Sequence, residues 1–180
     1  MTLVVTAVSG SLRAPGSTSV LLEGILTRIA RDREVDAEVI ELSSLAVDIA
    51  AALTGAERSA ALQSALERLG RSDLVVVGTP IYRGSYTGLF KSFFDLVHQD
   101  ALEGVPVLLA AGGGNDQHTL AIDHELRPLF AFFRALAAPV GVYARPTDYS
   151  DGRIASDSLV TQIERAVDAS LPLIRGTVDA

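Results

Sequence analysis

The sequence contains no cysteine and no tryptophan, a single methionine, and aromatic residues at only 6%. Without cysteine there is no disulfide framework, zinc ribbon, iron–sulfur cluster or thiol nucleophile, so any redox chemistry has to come from a bound organic group. No apolar stretch approaches the 18 or so residues of a membrane span, and the first residues, Met1–Val8, lack the basic start of a secretory leader and read as a strand. A soluble, cytoplasmic protein is expected. Positive charge is also scarce, with 15 basic against 22 acidic side chains and a net charge of −7. Such a surface repels polyanions, which disfavours bulk nucleic-acid or anionic-membrane binding while leaving room for one local basic pocket. What is present is 180 residues that are 48% hydrophobic. That suits one domain over 1–180 with a layered core, burying about two-thirds of the surface of the unfolded chain.

Five short runs are apolar at nearly every position: Leu3–Val8, Ala37–Leu42, Leu74–Val77, Val105–Ala111 and Val140–Ala144. Continuous rather than alternating apolarity is what strands covered on both faces require. Between them lie stripes of helical period: Leu21, Leu22, Ile25 and Ile29; Leu62, Leu66 and Leu69; Leu126, Leu129, Phe130 and Phe133; Val160, Ile163, Val167 and Leu171. Alternating strand and helix predicts an α/β fold, a doubly wound five-stranded parallel sheet with helices on both faces in the flavodoxin-like order 2-1-3-4-5. Ligands of such sheets sit at the carboxyl ends of the strands, at the switch point. Ser43–Arg58 and Arg145–Ser156 read as loops near that edge.

Three strand ends carry the residues that matter. After the first strand comes Ser9-Gly10-Ser11-Leu12-Arg13-Ala14-Pro15-Gly16-Ser17-Thr18-Ser19, a turn of hydroxyls and glycines whose sole charge is Arg13. It delivers donors to a helix N-terminus, where unpaired N–H groups and the helix dipole favour an anion. The plainer alternative is that Ser17 or Thr18 merely caps the helix. Neither a dinucleotide G-x-G-x-x-G nor a Gly-Lys-Ser/Thr phosphate loop is present, so a terminal monoester phosphate fits better than a pyrophosphate. The third strand ends in Gly78-Thr79-Pro80-Ile81-Tyr82-Arg83-Gly84, where Pro80 stiffens the chain, Tyr82 offers an aromatic face and Gly84 permits close approach to a flat ring. Phe90, Phe93 and Phe94, at helical spacing beyond it, read as core. The fourth strand ends in Gly112-Gly113-Gly114-Asn115-Asp116-Gln117-His118. Three glycines in a row suggest that a ligand or another backbone comes very close. His118 reads either as a donor to a ligand carbonyl or as a helix-start cap.

Together these turns resemble the NAD(P)H-dependent FMN reductases of flavodoxin-like fold, most closely the alkanesulfonate and methanesulfonate type that supplies reduced flavin to a separate monooxygenase. The resemblance rests on Gly-Ser-x-Arg at Gly10–Arg13, Thr-Pro-x-Tyr-x-x-x-Tyr-x-Gly-x-x-Lys at Thr79–Lys91 and Gly-Gly-x-x-x-His ending at His118. It implies that Ser11, Arg13, Ser17, Thr18 and Ser19 hold the FMN phosphate. It also implies that Pro80, Ile81, Tyr82, Arg83 and Gly84, with Gly112, Gly113, Gly114, Asn115 and His118, surround the isoalloxazine ring, Tyr82 and Gly113 positioning it. Lys91 and Asp95 are implied to fix the helix after the ring turn. Two residues depart from the family pattern. Gly112 stands where relatives often have threonine, and His124 where close relatives often carry tyrosine, on a helix associated with an extra-residue bulge and with subunit packing. Pro128, inside that helical pattern, predicts a break in the hydrogen-bond ladder at residue 124.

The implied reaction is hydride transfer from NADPH or NADH to FMN, in which the cofactor carries the electronics and no side chain need act as acid or base. That agrees with a sequence offering no nucleophile and no Ser/His/Asp constellation. Metal binding has no support either, since His118 and His124 do not share a helix face. Three readings stand side by side: FMN as a loosely held substrate passed on to a flavin-dependent monooxygenase; tightly bound FMN reducing quinones, azo compounds or other small acceptors; and a flavodoxin-like electron carrier. Arg13 and the lack of tryptophan count against the last. The two donors differ by a ribose phosphate, for which Arg83 and Arg145 are the candidate partners. Phe132 points away from the Leu126–Phe133 stripe, which predicts a homodimer or homotetramer.

Overall fold

The computed structural model describes residues 2–174. Met1 and residues 175–180, included in the single-domain expectation, lie outside them. A parallel sheet runs in the order β2 (Val35–Glu41), β1 (Leu3–Ser9), β3 (Leu74–Pro80), β4 (Pro106–Gly112). The fifth position is shared by two short segments, β5 (Leu136–Ala137) beside the start of β4 and β6 (Val142–Ala144) beside its end. The flavodoxin-like order is therefore as expected, but the Val140–Ala144 strand is corrected. The edge position is split: after Ala138, whose N–H still donates to Val107 O (2.8 Å), residues 139–141 leave the ladder between its halves.

Each inner strand divides its side chains between two cores, which is why its run is apolar without alternation. On one face Val75, Val77, Val107 and Leu109 meet α2 (Ala46–Leu53), α3 (Ala60–Gly70), α4 (Gly88–Phe94) and α5 (Arg127–Phe132). On the other Val5, Val76 and Leu108 meet α1 (Ser17–Asp32) and α6 (Asp157–Ser170). Phe90, Phe93 and Phe94 are buried as read from their spacing, and Phe94 packs edge-on against Phe130 with ring centroids 5.0 Å apart. Lys91 and Asp95 form an i,i+4 ion pair on the exposed face of α4.

Two segments read as loops are partly ordered. Ser43–Arg58 contains α2 after a 3-10 turn at Leu42–Leu45, with Leu45 and Ile49 inward one helical turn apart. Apart from Ile49, α2 holds four alanines with Val47, Leu53 and a lone acidic residue, Asp48, so no polar face marks it in the sequence. Arg145–Ser156 holds a 3-10 turn at Pro146–Asp148 and a small antiparallel hairpin, β7 (Tyr149–Ser150) with β8 (Arg153–Ile154). The expected irregularity before Pro128 is a π-helical turn, Ile122–Leu126, closed by the Arg127 N–H on Ile122 O. Proline has no N–H to donate to residue 124, and the ladder accommodates one extra residue there.

Candidate active site

Register places the functional loops side by side. Ser9 pairs with Gly78, Pro80 with Gly112, and Gly112 with Ala144, so β1, β3, β4 and β6 all release their chains at one edge. Backbone bonds then stitch the loops together: Gly10 N–H to Gly78 O (2.7 Å), Ile81 N–H to Gly112 O (2.7 Å) and Gly113 N–H to Ala144 O (3.1 Å). Thr87 adds a side-chain tie. Its hydroxyl caps α4 by accepting from Phe90 N (3.2 Å) and donates to Gly10 O (2.7 Å), fixing the first loop against the third-strand loop.

A cavity of about 380 Å³ lies between these loops, within the range of small-molecule sites. Ser17, Thr18 and Leu21 of α1 line one wall, Pro80, Ile81 and Tyr82 a second, Gly112–Gly114 a third, and Ala144, Arg145, Pro146 and Tyr149 the last. The sequence reading had most of this lining. It missed Leu21, Ala144, Pro146 and Tyr149, and took Arg145 only as a phosphate candidate. Only the expectation that Arg145–Ser156 lies near the site edge pointed toward Pro146 and Tyr149, and nothing pointed Leu21 or Ala144 into the cavity.

At the α1 end the N-cap is Gly16, in extended conformation, and no side chain caps the helix. The plainer reading of Ser17 or Thr18 as a cap is thereby corrected, and the first-turn N–H groups are left without a side-chain acceptor. Ser19 Oγ is buried and has no hydrogen-bond partner, and the Arg13 side chain is exposed with no partner among the described residues. An uncapped helix start, an orphaned hydroxyl and an uncommitted guanidinium are a donor set for a phosphate. Ser11 does something different here: its hydroxyl donates to Arg13 O (2.7 Å) and accepts from Arg13 N (3.2 Å), shaping the turn from within.

At the other end the chain makes a tight two-residue turn. Tyr82 N–H reaches Ser85 O (2.9 Å) and Ser85 N–H reaches Tyr82 O (3.3 Å), with φ of 56° at Arg83 and 87° at Gly84. Positive φ at both central residues is the type I′ pattern, which glycine adopts freely and arginine does not. Tyr82 is 54% exposed. Ser85 Oγ donates to Glu125 Oε2 (2.8 Å), so this turn is anchored on the π-helical segment. His124, on the same segment, is exposed.

The glycine run has a reason other than ligand approach at its centre. A Cβ on Gly113 would collide with the Tyr143 hydroxyl, which donates to Asn115 O (2.6 Å). At Gly114 a Cβ would meet nothing within 4 Å. Asn115 Oδ1 accepts from Gln117 N (3.0 Å), capping the short turn that carries His118. Arg145 is ion-paired with Asp116, and its N–H donates to the buried Asp148 carboxylate (2.7 Å). The ion pair pushes the Arg145 pKa up, and burial pushes the Tyr149 phenol well above its ordinary value.

A parallel sheet of this order, with a phosphate-suited helix start and a ring-sized cavity at its switch point, defines a flavodoxin-like mononucleotide-binding protein. Residues 3–150 match the family described as NADPH-dependent FMN reductase. The FMN reductase (NADPH) of Pseudomonas aeruginosa is 42% identical over 96% of this chain and 92% of its own. The NADH-dependent FMN reductase SfnE of Pseudomonas putida is 43% identical over 95% and 92%. Among solved structures, the apo form of the NADH:FMN oxidoreductase EmoB superposes with a TM-score of 0.88 at 29% identity, covering 98% of this chain and 92% of that one. An oxidoreductase from Corynebacterium diphtheriae does so with a TM-score of 0.84 at 34% identity, covering 97% and 98%. The chain belongs to the NADPH-dependent FMN reductase family, enzymes for which FMN is substrate or cofactor and a reduced nicotinamide is the hydride donor.

Proposed function

We propose that this enzyme treats FMN as a loosely held substrate and releases it, reduced, to a separate flavin-dependent monooxygenase of the sulfonate type. The observation that carries this reading is the lack of enclosure at the ring end of the cavity. Tyr82 is 54% exposed, and a Cβ on Gly84 or Gly114 would meet nothing within 4 Å. A ring resting there keeps an open edge from which it can leave. The relatives named SfnE and SfnF, 43% and 42% identical over 95% of this chain, support the assignment to this branch. In this reading the enzyme works in the cytoplasm, beside its source of reduced nicotinamide.

Bound FMN accepts hydride, and that chemistry belongs to the flavin. The chain's own residues supply position. The α1 N-terminus with Ser17, Thr18, Ser19 and Arg13 takes the phosphate, while Ser11 holds the turn in shape. Pro80–Tyr82 forms one wall for the ring, and Gly112–Gly114 forms another with Gly113 fixed by Tyr143. Neither wall requires a proton-transferring side chain. The test is purification without added flavin. A colourless protein that oxidises NADH or NADPH only when FMN is supplied is expected; a yellow protein that stays yellow through dialysis overturns the substrate reading in favour of a bound prosthetic group.

The same proposal includes self-association. Phe132 is 66% exposed beside a groove of about 370 Å³ in which Phe94, Val97, Leu129 and Phe133 lie with Lys91, Asp95 and Gln99, a face with an apolar patch that a second copy would cover.

A further inference from the structure

A second cavity, about 440 Å³, shares Ile81 and Tyr82 with the first and is otherwise lined by Arg83 and His118. Neither of these last two side chains is committed within the protein. Arg83 makes no side-chain hydrogen bond or ion pair among the described residues, and His118 Nδ1 is buried with no partner. Arg83 is moreover held at φ 56°, a conformation that costs an arginine and would cost glycine nothing. Arg145, which lines the first cavity, differs: it is neutralised by Asp116. On a surface of net charge −7, an uncommitted guanidinium beside an imidazole is a local site for a dianion, and its planar fork matches phosphate oxygens.

We propose that this cavity binds a phosphate group of the reduced nicotinamide dinucleotide, with Arg83 and His118 as donors. The inference rests on the functional reading above, because it takes the cavity next to the flavin site as the donor's. The phosphate comes either from the diphosphate that NADH and NADPH share or from the ribose 2′-phosphate of NADPH alone. FMN's own phosphate has its place at α1.

Calorimetric titration of the flavin-free protein with ADP and with 2′,5′-ADP separates these sources without any turnover. Arg83→Gly suits the positive φ and so removes the guanidinium without backbone strain, Arg83→Gln keeps the side-chain bulk, and His118→Asn replaces the imidazole. Loss of a charge-assisted contact should weaken binding roughly tenfold or more. Weakening of ADP, alone or together with 2′,5′-ADP, assigns the diphosphate; weakening of 2′,5′-ADP alone assigns the 2′-phosphate. The proposal is overturned if neither probe binds the wild type, if the variants bind both as the wild type does, or if FMN affinity falls by the same factor as probe affinity. Failure of the functional reading looks different: the purified protein would stay yellow through dialysis, an outcome the phosphate titrations do not read.

Discussion

At the residue scale the candidate site separates into side chains left uncommitted among the described residues and side chains that shape the loops. Arg13 is exposed and its side chain has no partner among the described residues, so Arg13→Ala should weaken FMN binding by about 1.5–3 kcal/mol, the range for a hydrogen bond to a charged group. Riboflavin, which lacks the phosphate, should bind the variant as it binds the wild type; equal losses for both flavins would remove Arg13 from the phosphate end. Tyr82 is exposed enough that Tyr82→Ala should weaken flavin binding while leaving the thermal transition in place. A large fall in melting temperature would mean that the ring is structural. Gly113 is the opposite case. Gly113→Ala drives a methyl group into the Tyr143 hydroxyl, and overpacking of this kind costs about 1–3 kcal/mol. Pairing it with Tyr143→Phe, which removes that oxygen, should recover part of the loss in a denaturation experiment.

At the element scale the strands and the long helices were readable because burial on two faces and amphipathic stripes leave strong periodic signatures. Pro128 announced the broken ladder for an equally local reason, the missing N–H. What escaped was set by tertiary contact. The Ala-rich α2 presents no polar face to mark its period, and the 3-10 turn and hairpin after β6 are held by Asp148 and by pairing between β7 and β8. Hence Tyr149 and Pro146 were not seen as cavity walls, while Ser17, Thr18 and Gly112–Gly114 were. Ser19, named for its motif, is also where the structure leaves a buried hydroxyl without a partner. Ser11, named for the same motif, turns its hydroxyl on its own loop. The link from Ser85 to Glu125 joins the ring turn to the π-helical segment, and Ser85→Ala should lower stability by about 0.5–1.5 kcal/mol. It should also raise the dissociation constant for FMN. An unchanged constant would show that the turn keeps its shape without that anchor.

At the scale of the whole molecule, the apolar face around Phe132 predicts an oligomer by size-exclusion with light scattering and a monomer for Phe132→Asp; a wild-type monomer at micromolar concentration would refute the interface. Stability should also respond to alkali. Burial raises the phenols of Tyr86, Tyr143 and Tyr149, so above a pH of about 10, where the unfolded phenols ionise, the native state retains protons that the unfolded state has lost. The stabilisation present below that pH is then lost as pH rises, and the urea midpoint should fall on passing from pH 9 to 11. Thr87 has a consequence of its own at this scale. Because one hydroxyl both starts α4 and grips Gly10 O, the two ends of a flavin bound as proposed would meet a single frame rather than two independent arms. A tethered ligand then engages the second end at high effective concentration, with the ordering of the loops already accomplished in the folded chain. Riboflavin and inorganic phosphate offered as separate molecules should therefore fall far short of FMN, and Thr87→Val, by unlinking the frame, should narrow that gap.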